Sequence, residues 1–305
     1  MRILVYEHMT SGGYRAGAAA LVREGDAMLR ALLADLCVIP GVELVTLRDE
    51  RLPRNLPCEV KLLRDQTDLW PAMRRAIGEC DAVWPIAPET GGWLERISEE
   101  VINQGRVLLN SGLDAVRITS SKWRTSQVLH AAGIPVVKTY RSMQEVPPEV
   151  ERIVAKPDDG AGCVDTSILR RGDRAPSSNA VFQPYIEGDP RSFALLCSGG
   201  TAQLLCVNRQ IIEEREGVLC FVGVETGVLE DAGDEIALLG RRILAAIPDL
   251  SGFVGVDFLE TQTGPVVIEI NPRLTCAYVG MSARLGFNVA AQVKESFQWE
   301  AIARL

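Results

Sequence analysis

GVDFLE (255–260) and VVIEINPR (266–273) are separated by the turn-forming run Thr261-Gln262-Thr263-Gly264-Pro265, and both alternate apolar and polar residues with the period of two that marks half-buried strands. A hairpin centred on Thr263 sets Val256 opposite Ile270 and Phe258 opposite Ile268 on a core-facing side. The same register sets Asp257 opposite Glu269 on the other side, with Asn271 two residues further along that face. Directly opposed side chains stand about 5 Å apart at Cβ, and two carboxylates at that distance repel by roughly 3 kcal/mol at an effective dielectric of about 20. Something positive belongs between them. Oxygen donors with an amide favour a hard cation, and Mg²⁺ takes a few protein oxygens and fills its remaining positions with water and phosphate oxygens. Asp257, Glu269 and Asn271 are therefore candidate metal ligands, and Arg273 adds a planar cationic fork beside them.

The rest of the chain sets the context. At 305 residues it is long for one core, and two or three packed subdomains are expected. Hydrophobic residues make up 47% and charged residues 24%, a globular balance that argues against disorder. The net charge of -8 argues against nucleic acid as a partner. Eight cysteines form no CxxC pair and only His8 and His130 supply imidazoles, which excludes a zinc cluster and points to reduced thiols in a cytoplasmic protein. The opening MRILVYEHMTSGG meets an acid too early for a signal peptide, and no run approaches the ~20 apolar residues of a membrane span.

Residues 2–6 read as a buried strand, followed by a loop with Gly12 and Gly13 and an amphipathic helix to about Leu36. VELVTL, a helix over 67–79, DAVWPI, a loop at 87–92, a helix to about Asn103 and RVLLN continue the alternation, which predicts a parallel sheet covered by helices. The glycines after the first strand do not form GxGxxG. Glu7, His8, Ser11 and Glu89 fall in loops after strand ends, where open α/β sheets place ligands. From Ile118, Ser120 or Ser121 caps a helix that Gly133 and Pro135 stop, with Lys122 in its first turn, where an anionic ligand would offset the unfavourable dipole. ERIVAKPDDGAGCVDT (151–166) pairs a strand ending in Lys156 with a loop containing Gly160 and Gly162, a composition that cradles phosphate. AVFQPYIEGDPRSFALL (180–196) supplies two strands around a connector of the kind that holds adenosine, with Glu187 placed to accept from ribose hydroxyls. A hairpin turning at 198–200 and a helix over 232–246 precede the metal hairpin, and Ser192, Asn208 and Arg209 are candidates for the substrate side.

In this order the segments resemble the ATP-grasp superfamily of carboxylate-amine ligases, over about 118–282. The resemblance implies a mixed α/β (α+β ATP-grasp) fold, with a Rossmann-like domain at 1–117 and two α+β subdomains, 118–187 and 188–305, that clasp ATP. It implies Lys122 and Lys156 on the ATP phosphates, the 160–162 loop closing over them, and the stretch Gln183, Tyr185, Ile186 and Glu187 holding adenosine. Asp257, Glu269 and Asn271 then hold Mg²⁺, or Mn²⁺ in its place, and Arg273 sits with Lys156 at the transferred phosphoryl group. Pro184 stands where many relatives carry an acid, so adenine would be met by backbone groups. VYEHMTSGG and EINPRLTCAYVG look most like the tyramine-glutamate ligases of methanofuran-type cofactor synthesis. The implied partners are a small-molecule carboxylate and an amine; ligation of other amino acids, or a carboxylate kinase, are alternatives, and self-association into a homo-oligomer is left open.

Overall fold

The computed structural model describes residues 1–14, 18–175, 177–228 and 233–297. The first sheet is parallel, in the order β3-β2-β1-β4-β5. Its strands are β1 (Arg2–Glu7), β2 (Glu43–Asp49), β3 (Glu59–Leu63), β4 (Ala82–Ile86) and β5 (Val107–Leu108), interleaved with α1 (Ala19–Cys37), α2 (Leu69–Gly78) and α3 (Trp93–Asn103). Ile3 and Val5 point to the α1 side, where Leu29, Leu32, Leu33 and Leu36 cover them, and Leu4 and Tyr6 point to the α2 and α3 side. Both faces are buried, which is why RILVY reads as an apolar run rather than an alternation. Strand β3 carries Glu59 and Lys61 at the sheet edge and lacks the buried run that would have announced it.

Helices α4 (Leu113–Thr119) and α5 (Lys122–Ala131) lead into an antiparallel sheet in the order β13-β12-β9-β10-β11-β7-β6-β8. Its strands are β6 (Ile153–Pro157), β7 (Ser167–Leu169), β8 (Ala180–Pro184), β9 (Asp189–Ser198), β10 (Thr201–Arg215), β11 (Val218–Glu225), β12 (Gly252–Thr261) and β13 (Gly264–Asn271). Helix α6 (Gly233–Ala246) packs on β10 and β9. Segment 136–140 touches both outer strands of the sheet: Val137 N donates to Val267 O at 2.9 Å, and Tyr140 N donates to Phe182 O at 2.9 Å. So short a stretch reaches no more than about 14 Å, so the sheet is curled until its two edges almost meet. Bulges at Leu204–Cys206 and Ile211–Ile212 supply part of the bend.

The β12–β13 hairpin forms largely as its alternation requires. Gly255 faces Asn271, Val256 faces Ile270 and Asp257 faces Glu269. A bulge follows, so Phe258 faces Val267 rather than Ile268 and the chain turns at Gln262-Thr263. The extra residue is Ile268, and it shares the cavity side with Glu269. Val256 and Phe258 face the core under α5 and α6, while Asp257 and Leu259 face the hollow of the sheet. The C-terminal helices α7 (Met281–Leu285) and α8 (Val289–Ser296) pack back on α1: Met281, Val289, Ala290 and Val293 share one core with Leu29 and Leu33. Tyr278 Oη and Ser282 Oγ both donate to Asp35 at 2.6 Å. The first sheet is thereby fixed against the hairpin end of the second.

Candidate active site

A cavity of about 950 Å³ lies between the two sheets. Single-ligand pockets run to about 1,000 Å³, so this one has room for a large ligand or several small ones. Each wall follows from strand alternation. On β6, Val154 and Lys156 face in while Ile153 and Ala155 face a separate small core. On β10, Gln210, Ile212 and Glu214 face in, and on β11 Leu219 and Phe221 do.

Glu269 is the electrostatic centre. Lys122 Nζ lies 3.2 Å and Lys156 Nζ 4.0 Å from its carboxylate, and Lys122 Nζ also donates to the Gly160 carbonyl. Burial works against the Glu269 charge, but the two ammonium groups outweigh it and hold the carboxyl below its ordinary range. Burial and the facing Glu269 charge push Asp257 the other way, above its ordinary range. Asp257 receives only neutral donors: Gln210 Nε2 at 2.9 Å and Asn271 Nδ2 at 3.2 Å. A buried carboxylate whose contacts are neutral, facing a second one beside an amide, suits a hard divalent cation. Asp257, Glu269 and the Asn271 amide oxygen are the atoms that would hold it. Among the described residues no group of three or more His, Cys, Asp and Glu side chains converges, so with two acids and an amide the remaining positions would fall to water and ligand oxygens.

The phosphate-type loop carries Gly162, Cys163 and Asp165 in left-handed backbone, with φ of 64°, 57° and 53°. Two of the three are not glycine, so packing rather than residue choice imposes the conformation. Asp158, at the start of that loop, caps α5. It accepts from Ser121 Oγ at 2.7 Å and Trp123 N at 2.9 Å, while Ser121 itself accepts from Arg124 N at 3.1 Å. The helix end expected to draw an anionic ligand is therefore occupied by Asp158, and Lys122 reaches the site through its side chain.

Of the connector residues, Gln183, Tyr185 and Ile186 line the cavity, and Glu187 is exposed outside it. Gln183 is held by a hydrogen bond from its Nε2 to Thr139 Oγ1 at 2.8 Å. The Tyr185 N–H donates to Arg152 O at 2.9 Å and is committed to the fold. Lys122, Lys156, Gly160, Gly162, Asp257, Glu269, Asn271 and Arg273 all line the same cavity. Ser192 lines it too, whereas Asn208 is buried behind it, accepting from Gly227 N at 2.9 Å, and Arg209 points outward to Glu225 at 3.3 Å. Gln210, two residues on from Asn208, is the side chain of that strand that bonds Asp257.

The far end of the cavity belongs to the first sheet. Glu7, His8, Tyr14, Glu24, Met28 and Trp93 line it. Burial pushes Glu7 up to about 7, against the hydrogen bonds it accepts from Thr10 N at 2.6 Å and Met9 N at 3.1 Å. Burial lowers His8 to about 4; its Nδ1 pairs with Tyr6 Oη at 2.9 Å and its ring packs on Trp93. Ser11, by contrast, is structural: its hydroxyl donates to Leu47 O at 2.9 Å. Glu89 forms a buried two-point pair with Arg273, at 2.9 and 2.8 Å.

Known proteins extend this picture. The sequence pattern of the ATP-grasp domain matches residues 119–277, and that of the pre ATP-grasp 3 domain matches residues 42–116. The tyramine–L-glutamate ligase of Methanocaldococcus jannaschii is 24% identical over 283 residues, 92% of this chain and 84% of that protein. The corresponding protein of Methanocaldococcus fervens is 25% identical, over 92% of this chain and 89% of its own length. Among solved structures, an ATP-grasp superfamily protein from Archaeoglobus fulgidus superimposes with a TM-score of 0.78 at 22% identity, covering 97% of this chain and 88% of that one. D-alanine–D-alanine ligase from Bacillus anthracis gives a TM-score of 0.66 at 16% identity, covering 97% of each chain.

Proposed function

The chain belongs to the ATP-grasp family and is an ATP-dependent ligase; on that premise we propose that it joins a small-molecule carboxylate to an amine, with glutamate and tyramine as the first pair to test. The observation that carries this reading is the convergence of Lys122, Lys156, Asp257, Glu269, Asn271 and Arg273, from well-separated segments, on one cavity with an acid-lined far end. The cationic centre suits phosphates and a carboxylate. The end lined by Glu7 and Glu24, with Trp93 and Met28 around them, suits an ammonium group on an apolar or aromatic body.

In this proposal a carboxylate oxygen takes the γ-phosphoryl group of ATP and ADP leaves. The amine then attacks the acyl phosphate, loses a proton and expels inorganic phosphate, leaving an amide. Lys122 and Lys156 hold phosphate oxygens, the 160–162 loop covers them, Gln183, Tyr185 and Ile186 flank the base, and Glu187, exposed at the rim of the connector, accepts from the ribose hydroxyls. Arg273 offsets charge on the transferred group. Mg²⁺, held by Asp257, Glu269 and Asn271, would neutralise phosphate charge, and Mn²⁺ suits the same donor set. On this reading residues 1–117 form the substrate-side domain, and 118–187 and 188–305 the halves that close on the nucleotide. The eight free thiols suit a reducing compartment such as the cytoplasm, and among the described residues no helix is long and apolar enough to cross a membrane.

The test is phosphate release from MgATP with glutamate and a panel of amines, with mass spectrometry of the products. An amide that requires both partners supports a ligase, and a glutamate-tyramine amide supports that pair. Phosphorylated carboxylate accumulating without any amine would replace the ligase by a kinase.

A further inference from the structure

The loop between β4 and α3 makes four hydrogen bonds to two residues just beyond strands of the second sheet, Arg273 after β13 and Asp159 after β6. Glu89 holds Arg273 through Nε at 2.9 Å and Nη2 at 2.8 Å. Thr90 Oγ1 donates to Asp159 O at 2.8 Å, and Gly91 N donates to Asp159 Oδ2 at 2.9 Å. Adjacent residues of one loop thus grip both the cavity arginine and the glycine loop. Glu89 is 5% exposed and does not line the main cavity, where Arg273 does; it borders a small adjoining recess with Lys122, Gly160, Glu269 and Asn271, so a ligand in the main cavity would meet the arginine and not the acid.

Counting donors shows what the grip leaves free. A guanidinium has five N–H groups. Glu89 takes two, and Arg273 Nη1 donates a third to Leu274 O at 3.2 Å. One hydrogen remains on each terminal nitrogen, which is the fork that engages two oxygens of one anion. Glu89 also fixes the plane of the fork at the position where only a correctly oriented arginine can follow developing charge.

We propose that Glu89 is a positioning residue: it presents the terminal fork of Arg273 to the transferred phosphoryl group, while Thr90 and Gly91 hold the glycine loop in register with it. This rests on the ligase reading for the identity of the group transferred, but the two can fail separately. The experiment compares wild type with Glu89→Gln, Glu89→Asp and Thr90→Val, measuring by calorimetry the affinity for MgADP alone and for MgADP with orthovanadate, a stand-in for the phosphoryl group. In wild type, vanadate should tighten nucleotide binding. Glu89→Gln should lose about tenfold or more of that tightening with MgADP affinity unchanged, and Glu89→Asp, which keeps the charge, should recover part of it. Thr90→Val should weaken MgADP itself, through the glycine loop. The proposal is overturned if vanadate fails to tighten binding in wild type, if Glu89→Gln leaves the tightening intact, or if both affinities fall together with no rescue by Asp. A protein that passes but makes no amide with any amine discards the ligase reading alone, since the binding comparison requires no turnover.

Discussion

Lys156→Met separates the electrostatics of the cavity from its packing. In the free protein the Lys156 ammonium is buried, 4.0 Å from Glu269. At that separation and an effective dielectric of about 20, a unit charge pair is worth about 4 kcal/mol, and much of this offsets the cost of burying the ammonium. Burial lowers the Lys156 pKa even with Glu269 beside it, and Lys122 at 3.2 Å still compensates Glu269 once Lys156 is gone, so no buried carboxylate is left unpaired and an apolar chain of similar length should change the stability of the ligand-free protein little. Nucleotide changes the balance. Lys122 and Lys156 now balance Asp257 and Glu269, and removing one cation leaves an anionic centre facing a polyanion. A charge-assisted hydrogen bond lost to phosphate is worth about 1.5–3 kcal/mol, or roughly 10- to 150-fold in Kd. At a MgATP concentration 100 times the wild-type Kd, wild type gains about 2.7 kcal/mol; a variant bound a hundredfold more weakly gains only about 0.4 kcal/mol. At roughly 2 °C per kcal/mol for a chain of this size, the nucleotide-induced Tm shift falls from about 5 °C to about 1 °C. Calorimetry and thermal scans with and without MgATP measure both. Affinity within threefold of wild type, or a ligand-free Tm that drops as far as the liganded one, would refute the reasoning.

Asp257→Asn and Glu269→Gln should each keep the fold, seen in an unchanged far-UV spectrum, and remove Mg²⁺-dependent phosphate release; turnover like that of wild type in either would remove these residues as metal ligands. Glu7 and His8 oppose each other in pH. The raised pKa of Glu7, about 7 against an ordinary 4.5, means its contribution is lost as pH rises between those values, while the lowered pKa of His8, about 4 against 6.5, means its contribution is lost as pH falls between those. Each is worth about 3 kcal/mol, so their sum is nearly flat from about pH 4.5 to 6.5, and His8→Phe should unmask a fall in stability with rising pH across that window. Denaturant midpoints read against pH for both proteins decide it, with parallel curves counting against the assignment. A Cβ on Gly13 would sit 2.3 Å from the His8 ring, so Gly13→Ala should cost about 1–3 kcal/mol and lower the Tm; an unchanged Tm would show that the ring has room to move.

What could be read from the sequence was what local periodicity encodes. GVDFLE and VVIEINPR placed Asp257 opposite Glu269 correctly because one face of the hairpin is core and a one-residue slip would bury the acids. The bulge at Ile268 was invisible, because an extra apolar residue on a half-apolar cavity wall breaks no pattern. A serine cap at Ser120 or Ser121 is legible, and the structure uses Ser121, whereas the Asp158 carboxylate that shares the helix end comes from 35 or more residues away and leaves no local mark. The same distinction runs through the site. Residues that announce themselves by spacing, such as Lys156 with its glycine loop, are those whose placement depends on their own strand. In the sequence Glu89 is only an acid after a strand end, because its partner lies 184 positions away. Pairings of that kind depend on how α7 and α8 seat the first sheet against the hairpin, through Asp35 and the shared core of Leu29 and Met281. The placement of the residues of the cationic centre is thus readable strand by strand, while the relation of that centre to the far end of the cavity is a property of the interface. It follows that substitutions in the α1–α8 core, distant from any ligand, should disturb the Glu89–Arg273 pair before they disturb the Asp257–Glu269 pair.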